Sequence, residues 1–163
     1  MRISIAKPQI DEEEVTAVSR VLRSGMIASG PETKEFENEF SDFIGCKYAC
    51  SVNNGTSALS LALSAADIGP GDEVITTPLT FVATANSILS CGANPVFCDI
   101  DESTFNLSPI NVEGAISDKT KAIMPVHLYG LPAEMGEFRR IAEENNLVLI
   151  GDAAQAHGAA IGN

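Results

Sequence analysis

Residues 73–100 read EVITTPLTFVATANSILSCGANPVFCDI, and this stretch decides the fold. Residues 73–77 and 95–100 are short, near-continuous apolar runs of strand length, whereas residues 80–91 place apolar side chains three and four apart, as a helix does. A strand, a helix and a second strand of this kind make a parallel crossover unit, with strands buried on both faces. The same alternation continues outward. Residues 48–52, 122–128 and 147–150 read as further strands, and 57–66, 109–116 and 133–145 as helices. The expectation is an α/β fold in three layers: a mostly parallel sheet with helices on both faces. No internal repeat or low-complexity stretch interrupts the pattern.

Upstream, Val15, Val18 and Leu22 recur at helical spacing behind an acidic first turn, and Gly25 supplies a stop signal. A Gly/Ser/Pro segment, Gly25 to Pro31, leads to a second helix with Phe36, Phe40 and Phe43 on one face, ending at Gly45. The chain therefore reads as an N-terminal helical segment, 1–45, followed by a sheet-forming part, 46–163. With 163 residues in all, a single folding unit is expected.

Apolar residues make up 45% and charged residues 20%, as in soluble globular proteins. A formal charge of −12 sets the chain against nucleic acid and anionic membranes. It does not exclude a phosphorylated small molecule, because backbone amides at a helix end can hold a phosphate against the overall field. The opening residues lack a signal-peptide core, and no run is long enough to cross a bilayer, so a cytoplasmic location is expected. Cys46, Cys50, Cys91 and Cys98 fall in C-x3-C and C-x6-C spacings that fit neither a zinc site nor a redox pair. They read as reduced core thiols, and no metal site is expected.

In parallel sheets ligands gather beyond the carboxyl ends of the strands, and the polar motifs fall there. Asn53-Asn-Gly-Thr-Ser57 follows the expected first strand and opens a helix. Gly55 permits close backbone approach, and Thr56 and Ser57 offer hydroxyls to an anion. Alternatively, Thr56 or Ser57 is an ordinary helix cap. Leu147-Val-Leu-Ile-Gly-Asp152 runs an apolar strand into a carboxylate, with Gln155 and His157 close behind. Asp152 either caps a turn or pairs with the ring nitrogen of a pyridine cofactor, in which case Gln155 can donate to its phenolic oxygen. Phe81 follows the second strand, available either to stack on a flat ring or to join the core. His127, at the end of its strand, is read as structural.

Taken together, several segments resemble the DegT/DnrJ/StrS family of sugar aminotransferases, which have the aspartate-aminotransferase fold of pyridoxal 5'-phosphate (PLP) enzymes. They are Ser24-Gly25 with Ser29-Gly-Pro31, Asn54-Gly-Thr-Ser-Ala-Leu59, Gly69-Pro-Gly-Asp-Glu-Val74, and Thr80-Phe-Val-Ala-Thr-Ala-Asn86. Pro125-Val-His-Leu-Tyr-Gly130 and Asp152-Ala-Ala-Gln-Ala-His-Gly158 complete the series. Their order and spacing cover nearly the whole chain. The resemblance implies that residues 46–163 are the N-terminal part of the PLP-binding large domain, without the smaller C-terminal domain. It implies Gly55, Thr56 and Ser57 on the cofactor phosphate, Phe81 on the ring, Asp152 on the pyridine nitrogen and Gln155 at the phenolic oxygen. Residues 26–29 would lie near the sugar. Gly151 stands where the family often has an acidic residue, a change expected to matter little because a side chain there would alternate away from the site.

The resemblance further implies transfer of an amino group, usually from glutamate, to a nucleotide-diphosphate keto-sugar, by a homodimer. The family's Schiff-base lysine comes after the Asp-Ala-Ala-Gln motif. Lys7, Lys34, Lys47, Lys119 and Lys121 all precede Asp152, so a covalent link to PLP, and turnover, are not expected of this chain by itself. The alternatives are a PLP-dependent sugar dehydratase of the same family, with histidine in place of that lysine, and a noncatalytic truncated or scaffold module. A nicotinamide-binding sheet is remote, because no G-x-G-x-x-G follows the first strand.

Overall fold

The computed structural model describes residues 7–162. The chain divides after Ser51 into two compact units rather than the expected single folding unit. In the first unit, α1 (Glu12–Ser24) and α2 (Pro31–Ile44) bury none of their own residues, so the described residues of this unit form no closed core. Asp11 starts α1 with a capping box: its carboxylate accepts the Glu13 N–H at 3.0 Å, and Glu14 accepts the Asp11 N–H at 2.8 Å. These contacts, the Glu13 amide foremost, hold the Asp11 carboxyl below the usual carboxylate range. Gly25 and Gly45 close the two helices in left-handed conformations, and Arg20 pairs with Glu32 at 2.6 Å.

The strand expected over residues 48–52 is absent. Ser51 gives both its N–H and its hydroxyl to Glu37, each at 2.8 Å, so the segment is held to α2 by a side chain rather than by a strand ladder. Cys46 and Cys50, expected in the core, are exposed for the same reason, whereas Cys98 is buried and Cys91 half-buried. All four are free thiols, and burial pushes the Cys98 thiol up.

In the second unit, α3 (Gly55–Ala65), β1 (Glu73–Thr76), α4 (Ala83–Ser90), β2 (Asn94–Phe97), α5 (Pro109–Glu113), β3 (Thr120–Ile123), α6 (Met135–Asn145) and β4 (Val148–Leu149) follow in order. The strands form one sheet in the order β2-β1-β3-β4, every pair parallel, with Ile75 opposite Val96 on one side and Ile123 on the other. Strand alternation sends neighbouring residues to opposite faces. Val74, Ala122 and Met124 pack with Leu59, Leu63 and Ile88 on one side. Ile75 and Ile123 pack with Val112, Phe138 and Ile141 on the other. The fold is thus the expected three-layer α/β arrangement.

Element ends depart from the periodicity where polar groups intervene. The helix expected from Thr80 begins only at Ala83, because Pro78 lacks an N–H and the Thr77 hydroxyl accepts the Leu79 N–H at 3.1 Å, stabilising a turn. The strand expected over 122–128 loses regularity after Ile123. Its pairing nevertheless continues, through Asp152 N–H to Pro125 O at 2.9 Å and His127 N–H to Asp152 O at 3.0 Å. Among the described residues, no helix is long and apolar enough to cross a membrane.

Candidate active site

The chain leaves β1 toward β2 on one side of the sheet and later enters β3 on the other, so a topological switch lies at the carboxyl ends of β1 and β3. Such a crevice is where parallel sheets hold ligands. Asp152 arrives there from β4, only 6% exposed. A buried carboxylate needs donors, and among the described residues it has two. Thr84 Oγ1 donates to Oδ2 at 2.8 Å, and the Ala154 N–H donates to Oδ1 at 3.2 Å. Thr84 is fully buried in the first turn of α4, and its hydroxyl is also 2.9 Å from that of Thr80.

The same turn presents Phe81. Its carbonyl accepts the Thr84 N–H at 3.1 Å, while the residue as a whole is 71% exposed rather than part of the core. Thr84 therefore brings the Phe81 turn and Asp152 together, although they are far apart in sequence. Gln155, three residues beyond Asp152, accepts the Tyr129 N–H at 2.8 Å through Oε1, which leaves its amide NH2 as a donor. Tyr129 sits at φ 54, a left-handed value unusual for an aromatic residue.

At the start of α3 the cap is Asn54, whose side chain accepts the Ser57 N–H at 2.9 Å. Neither Thr56 nor Ser57 serves as the cap, and among the described residues neither hydroxyl has a hydrogen-bond partner. Gly55 and Thr56 are exposed, a Cβ on Gly55 would meet nothing within 4 Å, and a shallow groove runs past Asn53, Thr56, Ser57 and Ser60. First-turn amides of a helix lack intrahelical acceptors, and of these the Ser57 N–H is taken by the Asn54 side chain. This turn follows irregular chain, not the expected strand. Among the described residues, no hydrogen bond joins it to Asp152 or Phe81. The connection is the packing of α3 on α4, where Ser60 meets Ser90 at 3.2 Å.

His127 is half-buried. Its Nδ1 accepts the Ala133 N–H at 3.0 Å, which fixes the neutral ring with its proton on Nε2. Burial lowers its pKa, only partly opposed by the Asp152 charge. Contrary to the expectation for Gly151, a Cβ at that position would lie 3.1 Å from His127 Nε2, so a side chain there bears directly on the histidine. Thr84 and Asn54 are the polar residues that motif reading passed over. A hydroxyl on the buried face of a helix that starts beside Phe81 was the available signal for Thr84.

The sequence profile of the DegT/DnrJ/EryC1/StrS aminotransferase family matches residues 8–163. The chain belongs to this family. Among DegT/DnrJ/EryC1/StrS relatives, the GDP-perosamine synthase of Caulobacter vibrioides is 49% identical over 97% of this chain and 43% of its own length. The UDP-2-acetamido-2-deoxy-3-oxo-D-glucuronate aminotransferase of Pseudomonas aeruginosa is 46% identical over 93% of this chain and 42% of its own. The PLP form of Spr1654 from Streptococcus pneumoniae superposes with a TM-score of 0.91 at 34% identity, over 96% of this chain and 44% of that one. The chain thus spans about two fifths of the length of these family members, and it aligns with their N-terminal part. The family relatives are sugar aminotransferases, and the fold is that of PLP-dependent aminotransferases.

Proposed function

We propose that this chain supplies most of the PLP cradle of an aminotransferase acting on a nucleotide-linked keto-sugar, with glutamate as the amino donor. The observation that carries this reading is the buried Asp152 carboxylate, held by Thr84 out of the same turn that exposes the Phe81 ring. The donor set suits the group: a capped helix start with free amides for a phosphate, a flat exposed ring for a flat heterocycle, and an anionic acceptor for a pyridinium N–H. When bound, PLP supplies the electron sink that amino-group transfer requires.

The amides of Gly55 and Thr56, with the Thr56 and Ser57 hydroxyls, bind the phosphate and set the depth of the ring. Phe81 covers one face of the ring and keeps water from it. Asp152 accepts the ring N–H and keeps the proton on that nitrogen, the state in which the ring withdraws electrons best. The Gln155 amide donates to the phenolic oxygen while its own oxygen stays fixed by Tyr129. The exposed Val15, Val18, Leu22 and Phe43 provide apolar surface for a second copy in a cytoplasmic homodimer.

All five lysines precede Asp152, so this chain by itself binds the cofactor without a covalent link and does not turn over. Calorimetric titration with pyridoxamine 5'-phosphate tests the cradle. Binding is expected, weakened about tenfold or more by Asp152→Asn and by the double substitution Thr56→Ala with Ser57→Ala. Affinity indifferent to all three changes would overturn the reading. A borohydride-reducible absorbance band with PLP on the chain alone would overturn its noncovalent part.

A further inference from the structure

Thr84 Oγ1 stands between two oxygens, 2.9 Å from Thr80 Oγ1 and 2.8 Å from Asp152 Oδ2. A carboxylate oxygen only accepts, so the single hydroxyl hydrogen of Thr84 goes to Asp152. Thr84 Oγ1 must then be the acceptor in its contact with Thr80, and Thr80 the donor. The direction of the chain is fixed: Thr80 to Thr84 to Asp152. Each bond in such a series polarises the next, and the second one ends on a charged group, where hydrogen bonds are strongest. Thr84 is fully buried, which leaves its hydroxyl no water to turn to. Its backbone N–H is meanwhile committed to Phe81 O at 3.1 Å.

We propose that Thr84 is the positioning residue of this site, acting through Asp152 as the second member of a Thr80–Thr84–Asp152 donor relay. The relay occupies one side of Oδ2, fixes the plane of the carboxylate and leaves its unengaged lone pairs for the ring N–H of the cofactor. Because the same residue anchors the Phe81 turn, ring-face contact and ring-nitrogen contact are set by one side chain and one amide three residues from Phe81. This inference rests on the reading of the site as a PLP cradle.

The test uses pyridoxamine 5'-phosphate labelled with 15N at the ring nitrogen and the full chain. Thr84→Val removes the donor at nearly constant volume and is expected to weaken binding about tenfold or more, with the ring-nitrogen resonance displaced toward its unprotonated position. Thr84→Ser, which keeps the hydroxyl, is expected to restore both. Thr80→Val leaves the Thr84 bond in place, is expected to shift both readouts less in the same direction, and serves should Thr84→Val fail to fold. A purely structural role would lower the urea midpoint of Thr84→Val but leave affinity and ring-nitrogen shift at their unsubstituted values, and that result overturns the proposal. An unsubstituted chain that binds no pyridoxamine 5'-phosphate overturns the cradle reading itself, and the relay's role with it.

Discussion

Gly151 and His127 face each other so closely that a Cβ at position 151 would lie 3.1 Å from the imidazole Nε2. The ring cannot retreat freely, because its Nδ1 holds the Ala133 N–H at 3.0 Å. Gly151→Ala is therefore expected to destabilise the chain by about 1 kcal/mol, the overpacking cost outweighing the smaller gain from a stiffer unfolded chain. Urea denaturation checks this, and an unchanged or higher midpoint would contradict it.

The same histidine makes stability depend on pH. Burial lowers its pKa, and the Asp152 charge raises it by less. Between that lowered native value and about 6.5, the unfolded chain binds more protons than the folded one. The His127 contribution is accordingly complete above about pH 6.5 and lost as pH falls through the native value. An NMR titration of the His127 ring is expected to have its midpoint below that of a free histidine. In His127→Asn, which retains an acceptor for Ala133, the loss of stability from about pH 7.5 to about pH 5.5 should shrink.

Phe81 separates function from stability. With 71% of its surface exposed, its removal takes little from the core, so Phe81→Ala should leave the unfolding free energy within about 0.5 kcal/mol. Affinity for pyridoxamine 5'-phosphate should nonetheless fall roughly threefold to tenfold, the worth of one aromatic stack. A large drop in the thermal midpoint with unchanged affinity would be the opposite outcome.

At the start of α3 the division runs between neighbours. Asn54 carries the cap, so Asn54→Ala is expected to cost about 1 kcal/mol of stability in urea. Thr56→Val, two residues on, leaves the cap in place and should change stability by no more than about 0.5 kcal/mol. Its effect should appear instead as weaker phosphate-ester binding in the calorimeter.

Layering and strand direction were legible because Val74, Ile75, Ala122 and Ile123 make near-continuous apolar runs, and only parallel strands covered on both faces need such runs. Residues 48–52 misled for a related reason. An apolar run reads as a strand whether or not a neighbour is there to pair with it, and here the carboxylate of Glu37 takes the Ser51 N–H. Asp152, Phe81 and the 54–57 turn could be picked out by their place after apolar segments and by family resemblance. Thr84 offered only a hydroxyl on the buried face of its helix, and what that hydroxyl holds is a carboxylate 68 residues away. Gly151 was misjudged because strand alternation says which way a side chain leaves the sheet, not what already stands there.

The double-faced packing of β1 also bears on how this fold can change length over evolution. Val74 and Ile75 feed opposite layers, so deleting or inserting one residue within 73–76 would exchange the two cores and swing the Thr77–Phe81 turn to the wrong side of its neighbours. Length variation should therefore collect in surface connections such as 101–105, while the four residues of β1 tolerate substitution by other apolar side chains but no change in their number.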